Sequence, residues 1–446
     1  MGRKRQENTE VSNVSLDAIF KQKLQEMKAK DDMGKVYIDG DDEVRVMCLD
    51  VPLALKILFQ LPGLPLGRFI VIAGEPETCK SALSYEFGRL HRRHGGGYSL
   101  IETENKDSTS LRKSVVGYDD ARSSVVYVES SEEWMRALRY QMNLVNAALD
   151  DYKPPRSVPW CFVVDSIAGV TTEGVNEQMV KDGVPKQSFN HAARMLTEYM
   201  KNIVHLPENH PDTVVFVSHQ KLSTSPQGLP IKKIVGGYAP RFHESIEINA
   251  SKAGGQYERK EPFREYVKPL KLATSKNSLA PNSPLLMVDF VWFFEQVETE
   301  TGEMQMLQRS FFDWAAASIQ YLSNIISGTN KDFSATERKQ ISECLDLHVG
   351  REKTVWSDRL GIPKSSPVHF RVAGRILDSR PDLQKELLPL LYIRQAFMFE
   401  PGVDLLLQRK AAQTKIYRRP GDFSNFVEMP VTGGAGDVQE ETADDV

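Results

Sequence analysis

The sequence predicts an α/β fold in which helices cover both faces of a mainly parallel, twisted sheet. Short apolar segments alternate along the chain with longer segments of helical periodicity, which is typical of this class. One apolar segment, Phe69 to Ala73, breaks at Gly74 and is followed by a helical pattern. Others end in polar side chains, as at Asp165 and His219. Parallel sheets bind ligands at the carboxyl edge of their strands, so we expect the functional site at these strand ends.

Composition is that of a globular protein with a large core. The chain has 446 residues, of which 41% are hydrophobic and 26% charged, enough for two or three domains. No apolar run reaches the roughly 18 residues of a membrane span, and the N-terminus does not read as a secretory signal, so we expect no membrane association. Four scattered cysteines suggest a reducing, cytoplasmic location. Because the net charge is −4, any nucleic-acid-binding surface must be local.

A phosphate-binding loop is predicted between the first core strand and the helix after it. Backbone N–H groups in such a loop and the dipole of the following helix favour phosphate oxygens. Lys80 would bring its charge to the β- and γ-phosphates, and the Ser81 hydroxyl would ligate Mg²⁺. The alternative is a proline-containing turn before an ordinary helix. The candidate nucleotide-binding residues are Gly74, Glu75, Pro76, Glu77, Thr78, Cys79, Lys80 and Ser81.

Cys79 stands where the phosphate-loop pattern has glycine. We expect either that the backbone there avoids positive φ, so that a side chain is tolerated, or that the match is accidental. A thiol at a helix N-terminus beside Lys80 should also have a lowered pKa.

Two further predicted core strands end in residues with carboxylate side chains. Glu102 and Glu104 end the segment that begins at Tyr98, and Asp165 ends the segment that begins at Trp160. In a parallel sheet these ends lie beside the phosphate loop. Asp165 fits the carboxylate that orients Mg²⁺ in nucleoside triphosphatases, although an aspartate at a strand end can also be a helix cap.

The remaining segments complete the predicted architecture. An amphipathic helix begins near Ser15, a long helix covers about 132–150, and another begins at His191. We expect loops at about 171–190 and 221–237, and an antiparallel extension of the sheet within 245–294. The predicted divisions are an N-terminal oligomerisation helix and strand (1–45), the core (46–328), a small helical domain (329–430) and an acidic disordered tail (431–446).

The order of these motifs resembles the RecA-type homologous recombinases. The matching segments are Gly63 to Arg68 before the phosphate loop, Ile101 to Asn105, Val163 to Ala168, the helix segment Ala192 to Met195, and Gly236-Gly237 followed by Arg241-Phe242. The resemblance covers about residues 15 to 300, and it implies a RecA-like ATPase core that uses ATP and Mg²⁺. Cys79 and His219 are similar to the phage UvsX branch, which implies a phage-encoded protein acting in a bacterial cell.

The resemblance also implies roles for single residues. Lys80 and Ser81 would hold the phosphates and Mg²⁺, and Asp165 would orient the metal. Glu104 would polarise the attacking water, with Glu102 as its rival because both lie on one face of a strand. His219 would sense the γ-phosphate and signal to the loop at 221–237, unless it is an ordinary core histidine.

A second set of residues is implied in contacts with neighbouring subunits and with DNA. Arg241, Phe242 and Lys276 match positions that reach the neighbour's ATP, where cationic side chains stabilise the transition state. A second lysine of the family is replaced by Ser278, which leaves this contact less positively charged. The candidate DNA contacts are Arg194, Lys221, Lys232 and Lys233, each of which could instead be merely solvated.

The expected function is therefore that of a DNA-dependent ATPase that polymerises on single-stranded DNA and promotes strand exchange with double-stranded DNA. Its partners would be further copies of itself, with single-strand-binding and mediator proteins as additional candidates. Two alternatives stay open: a ring helicase on the same core fold, and a recombination mediator that binds ATP without useful turnover.

Overall fold

The protein is described here from a computed structural model, which covers residues 46–104, 109–118, 122–152, 158–167, 171–173, 190–203, 212–224, 230–234, 243–260, 264–280, 284–298, 303–394 and 396–399. Its centre is an eleven-stranded sheet in the order β13-β12-β11-β9-β3-β7-β6-β4-β5, with β8 paired to β7 and β10 paired to β11. The strands of this sheet are β3 (Arg68–Gly74), β4 (Gly97–Glu102), β5 (Ser123–Tyr127), β6 (Trp160–Asp165), β7 (Thr213–Thr224), β8 (Pro230–Ile234), β9 (Ile246–Lys252), β10 (Tyr257–Arg259), β11 (Glu265–Asn277), β12 (Leu286–Glu298) and β13 (Met304–Phe312).

Strands β9, β3, β7, β6, β4 and β5 run parallel to one another, which confirms the mainly parallel sheet. Beyond β9 the strands β11, β12 and β13 pair antiparallel. The antiparallel extension predicted within 245–294 therefore holds for β11 and β12, whereas β9 also pairs parallel with β3 and β13 lies beyond the predicted range. Parallel pairing brings the ends of β3, β4, β6 and β7 to one edge. The residues that follow these strands are therefore neighbours although they are far apart in the chain.

Helices cover both faces of the sheet, because the core strands are apolar on both sides. Ile70 and Ile72 point into one hydrophobic cluster, and Phe69 and Val71 point into the other. The helices are α1 (Leu53–Phe59), α2 (Lys80–Arg93), α3 (Thr109–Val116), α4 (Ser131–Tyr152), α5 (Asn190–Ile203), α6 (Trp314–Ile326), α7 (Ala335–Leu345), α8 (Phe370–Asp378) and α9 (Pro381–Leu390). Helices α1 and α2 contribute to the first cluster, and α4 and α5 to the second.

The segment 329–399 packs on the sheet and shares the first hydrophobic cluster with it. Arg371 of α8 makes ion pairs of 2.8 Å with Glu265 of β11 and 2.6 Å with Asp313, which precedes α6. This segment is not purely helical, because it also contains a small sheet of β14 (His348–Val349), β15 (Thr354–Trp356) and β16 (Val368–His369). A third sheet joins β1 (Met47–Leu49), β2 (Leu64–Pro65) and β17 (Phe397–Met398).

The prediction of a loop at residues 221–237 is partly wrong. Residues 221–237 were expected to be a structureless loop, but β7 continues to Thr224 and pairs antiparallel with β8, Lys221 opposite Lys233 and Leu222 opposite Lys232. The β-branched and apolar residues of 230–234 favour this ribbon. The predicted N-terminal helix and strand, most of the loop at 171–190 and the acidic tail lie outside the described residues.

Candidate nucleotide-binding site

The phosphate loop connects the end of β3 to the first residue of α2. Gly74 is required at the start, because a Cβ there would lie 2.4 Å from the Ala250 carbonyl oxygen and 2.7 Å from Thr78 Oγ1. The Thr78 hydroxyl donates to the Glu75 carbonyl oxygen at 2.8 Å and closes the loop on itself. Cys79 precedes α2, and its carbonyl oxygen accepts the Leu83 amide at 2.9 Å. The open backbone of this helix start faces the loop, as an anion site requires.

Cys79 adopts the left-handed conformation that the pattern reserves for glycine, with φ 56° and ψ 31°. The expectation that its backbone avoids positive φ is therefore wrong. Glu77 is also left-handed, with φ 61°, so two residues with side chains hold strained backbone in one short loop. The expected lowering of the Cys79 pKa is wrong as well. Burial raises the pKa of the thiol to about 11 and outweighs the nearby charges of Lys268, Lys80 and Lys252.

Lys80 is buried at the start of α2, with 6% of its surface exposed. Its Nζ donates to the Glu75 carbonyl oxygen at 2.7 Å, so the ammonium lies within the loop. Burial lowers the pKa of Lys80, and the carboxylates of Asp165 and Glu104 act against this shift. These interactions join the lysine, both predicted carboxylates and the loop in one electrostatic unit.

Asp165 ends β6 and is 7% exposed. The Ser81 hydroxyl donates a hydrogen bond to its carboxylate. Burial raises the pKa of Asp165 to about 6, although the Ser81 bond opposes the shift. A hydroxyl and a carboxylate held together beside a phosphate loop are the oxygen ligands that Mg²⁺ uses with phosphates. The two residues fit the metal role that the sequence suggested, and that role stays a prediction.

Glu104 lies just beyond β4 and is held from two sides. Ser166 Oγ donates to its Oε1 at 2.7 Å, and His219 Nε2 lies 2.7 Å from the same oxygen. His219 lies in the middle of β7, at the last position where β7 pairs with β3, and is directly opposite Gly74. The parallel register therefore brings histidine and glutamate together at the phosphate loop. His219 is not an ordinary core histidine, because its side chain is 34% exposed and points at a carboxylate.

Glu102 differs from Glu104 in both burial and contacts. Glu102 is 3% exposed, and its Oε1 accepts the backbone amide of Glu104 at 2.8 Å. The side chain of Glu104 is 16% exposed and faces His219. The strand ends at Glu102, so the two side chains do not continue one alternating face as the sequence argument assumed. The geometry favours Glu104 as the carboxylate available to a ligand.

Two features of this site escaped the sequence analysis. The Thr103 hydroxyl donates to the Ser166 carbonyl oxygen at 2.6 Å and accepts the Ser166 amide at 2.8 Å, which locks the ends of β4 and β6 together. At the loop, Lys252 Nζ of β9 lies 2.7 Å from Glu77 Oε2. Neither contact has a sequence signal, because both depend on strand pairing between distant segments.

Lys276 lies away from the phosphate loop of its own chain. Lys276 pairs with Glu247 of β9, whereas Gly74 of the loop pairs with Ala250 of the same strand. The two positions on β9 are three residues apart, which is about 10 Å along the strand. The Lys276 Nζ is 4.0 Å from Glu244 Oε1. The contact of Lys276 with a neighbour's nucleotide stays a prediction. Arg241 and Phe242 lie outside the described residues.

The candidate DNA contacts are placed only in part. Arg194 is exposed on α5. Lys221 belongs to β7, while Lys232 and Lys233 belong to β8, so these three residues share one two-stranded ribbon. The ribbon begins at Gln220, the residue that follows His219 in β7. This arrangement connects the predicted DNA contacts to the nucleotide site through a single strand.

The fold and the site define a RecA-like α/β core with a phosphate loop and convergent carboxylates. Comparison with known proteins supports the same class. The chain is 23% identical to RecA of Campylobacter jejuni strain 81-176 over 275 residues, covering 61% of this chain and 72% of that protein. It is 23% identical to RecA of Rhizobium etli over 253 residues, covering 56% and 64% of the two chains.

The chain is thus a distant homologue of RecA over about 60% of its length, which supports a RecA-type family. No family model matches the sequence. Among the residues that the structure covers, no helix combines the length and apolarity needed to cross a bilayer.

Proposed function

We propose that this protein is an ATP-dependent recombinase that assembles on single-stranded DNA and promotes pairing and strand exchange with double-stranded DNA. The observation that carries the proposal is the convergence of Lys80, Asp165 and Glu104 on the phosphate loop, with Glu104 held by His219. A second support is the distant homology to RecA at the level of the family.

ATP would bind with its phosphates over the loop from Gly74 to Ser81. Lys80 would compensate the charge of the β- and γ-phosphates, and Ser81 and Asp165 would hold Mg²⁺, which neutralises phosphate charge when bound. Glu104 would accept a hydrogen bond from the attacking water and orient it towards the γ-phosphate. His219 would hold the Glu104 carboxylate in place through their hydrogen bond. When the water or the γ-phosphate moves, that hydrogen bond would break, and the break would signal the change to the strand that carries His219.

Self-assembly is supported by an open surface beside the edge strand β5. Tyr127 of β5 and Tyr140 and Leu144 of α4 are 55%, 65% and 49% exposed. Leu144 also lines a cavity of about 350 Å³ together with Val145 and Trp160. Exposed aromatic and aliphatic side chains at an open sheet edge favour a protein contact. We assign this surface to the amphipathic N-terminal segment of a neighbouring copy. Deleting residues 1–30 should then shorten or abolish filaments seen by electron microscopy while leaving ATP binding intact.

The decisive experiment is ATP hydrolysis with and without single-stranded DNA. Wild-type turnover should rise strongly with DNA, and Lys80→Ala should abolish it. Glu104→Gln should abolish hydrolysis but preserve binding of ATP and DNA. Lys56→Ala is a matched control, because it also removes a buried ammonium, here from α1 and outside the site, and it should retain DNA stimulation.

Other outcomes would favour the alternatives. ATP binding without turnover under either condition would point to a mediator. Turnover with rings instead of helical filaments would point to a helicase. The assignment to a phage UvsX-type protein, and the partnership with single-strand-binding or mediator proteins, rests on sequence resemblance and remains part of the proposal.

A further inference from the structure

The phosphate loop carries negative charge at the place where a polyanion would bind. Glu77 sits in the loop two residues before Cys79, and its side chain is 71% exposed. Its left-handed backbone, with φ 61°, holds the residue in the loop rather than in α2. A carboxylate here repels the phosphates that the loop would bind, because like charges a few ångströms apart destabilise each other.

Lys252 meets this carboxylate directly. Its Nζ lies 2.7 Å from Glu77 Oε2, and its side chain is 45% exposed. The pKa of Glu77 is lowered by the hydrogen bond and charge of Lys252, with a further contribution from Lys268, so Glu77 is ionised at neutral pH. Lys252 ends β9, and Gly74 pairs with Ala250 two residues earlier on that strand. The sheet therefore fixes the lysine beside the loop.

We propose that Lys252 is a positioning residue for the nucleotide site, which neutralises Glu77 and so allows a triphosphate to occupy the loop. The inference rests on the proposed nucleotide-binding function. It assigns to Lys252 a role that acts through Glu77, not a direct contact with phosphate. Three lysines, Lys80, Lys252 and Lys268, surround Cys79 closely enough to influence its thiol, and Lys252 is the one whose Nζ lies 2.7 Å from the Glu77 carboxylate.

A set of charge variants tests the role. Affinity for ATP with Mg²⁺ is measured by isothermal titration calorimetry on the full chain at low and high salt. Lys252→Gln should weaken ATP binding about three- to tenfold at low salt, because Glu77 is then uncompensated, and the loss should shrink at high salt. Glu77→Gln should bind ATP as well as the wild type or more tightly. The double variant Glu77→Gln/Lys252→Gln should return to within about twofold of the wild type.

The double variant separates this role from a direct phosphate contact. If Lys252 binds phosphate itself, the double variant will stay as weak as Lys252→Gln, and the proposal is overturned. Equal affinity in all variants would overturn it too. The matched control is the pair of Arg309 on β13 and Glu295 on β12, which are 2.8 Å apart and 39% and 48% exposed. Glu295→Gln should leave affinity for ATP unchanged. Absence of ATP binding by the wild type would instead refute the proposed function.

Discussion

Asp212 should make the stability of this protein fall as pH rises through neutrality. The residue directly precedes β7 and is 0% exposed. Burial, offset only in part by the Trp160 amide, raises the pKa of its carboxyl from 3.8 to about 8. Between these values the native state binds one more proton than the unfolded state. The free energy of unfolding should then decrease by about 1.4 kcal/mol for each pH unit in this range.

The perturbation is Asp212→Asn, which removes the titrating group and nearly keeps its shape. Between pH 6.5 and 7.5 the wild type should lose about 1.4 kcal/mol of unfolding free energy relative to the variant. Other buried groups with shifted pKa values, such as His91 at about 4 and Asp378 at about 6, are common to both proteins, so their effects cancel. Burying the side-chain amide of the variant could change its stability by a constant amount at every pH. Such a constant does not affect the difference in slope of unfolding free energy against pH.

Urea unfolding, followed by circular dichroism at several pH values, measures this difference. Asp358→Asn changes an exposed aspartate of the C-terminal segment and should give a curve parallel to the wild type. If the unfolding free energies of the wild type and of Asp212→Asn changed in parallel between pH 6.5 and 7.5, the reasoning would be refuted. Nucleotide binding should be unaffected, because Asp212 lies at the opposite end of the strands from the phosphate loop. Its neighbour Thr213 pairs with Arg68, the first residue of β3, which is six residues or about 20 Å from Gly74.

Two further predictions concern the loop and the packing of the C-terminal segment. Cys79→Gly should keep the free energy of unfolding within about 1 kcal/mol of the wild type and retain ATP binding. Cys79→Val should lower the free energy of unfolding by about 2 kcal/mol, because a β-branched residue resists positive φ. Thermal unfolding measures the stability and calorimetry the ATP binding, and equal stability of the two variants would contradict the argument. Arg371→Met should destabilise the protein by about 3 kcal/mol in urea unfolding. It removes the ion pair of Asp313, which is 3% exposed, and leaves Glu265, 7% exposed, with its other partner Arg259. A loss below about 1 kcal/mol would show that the ion pairs of Arg371 contribute little.

The core of the site could be predicted from the sequence because it depends on local patterns. Apolar segments that end at Gly74, Glu102 and Asp165 indicate parallel strands, and parallel strands place their ends at one edge. The family resemblance implied roles for His219 and Glu104, but not that their side chains meet. Their distance depends on the register of β7 against β3, which no single segment encodes.

The failures have physical causes as well. Cys79 suggested a backbone without positive φ, since residue preference was the only local information, yet the turn geometry overrides that preference. Its thiol pKa was expected to fall because of the helix terminus and Lys80, but burial by the packed loop dominates. The pair of Lys252 and Glu77 joins positions 175 residues apart in the chain. Such contacts become visible only when the strand order is known.

The unbroken course of β7 gives the molecule a mechanical property. The strand continues for five residues from His219 to Thr224, and this last part pairs with β8. Five residues of extended chain form an arm of about 17 Å. A rotation of about 10° at His219 would displace the far end of this arm by about 3 Å, far more than the shift needed to break the hydrogen bond to Glu104. An arm of this length would therefore magnify a small change in backbone angle at His219, the residue that contacts Glu104.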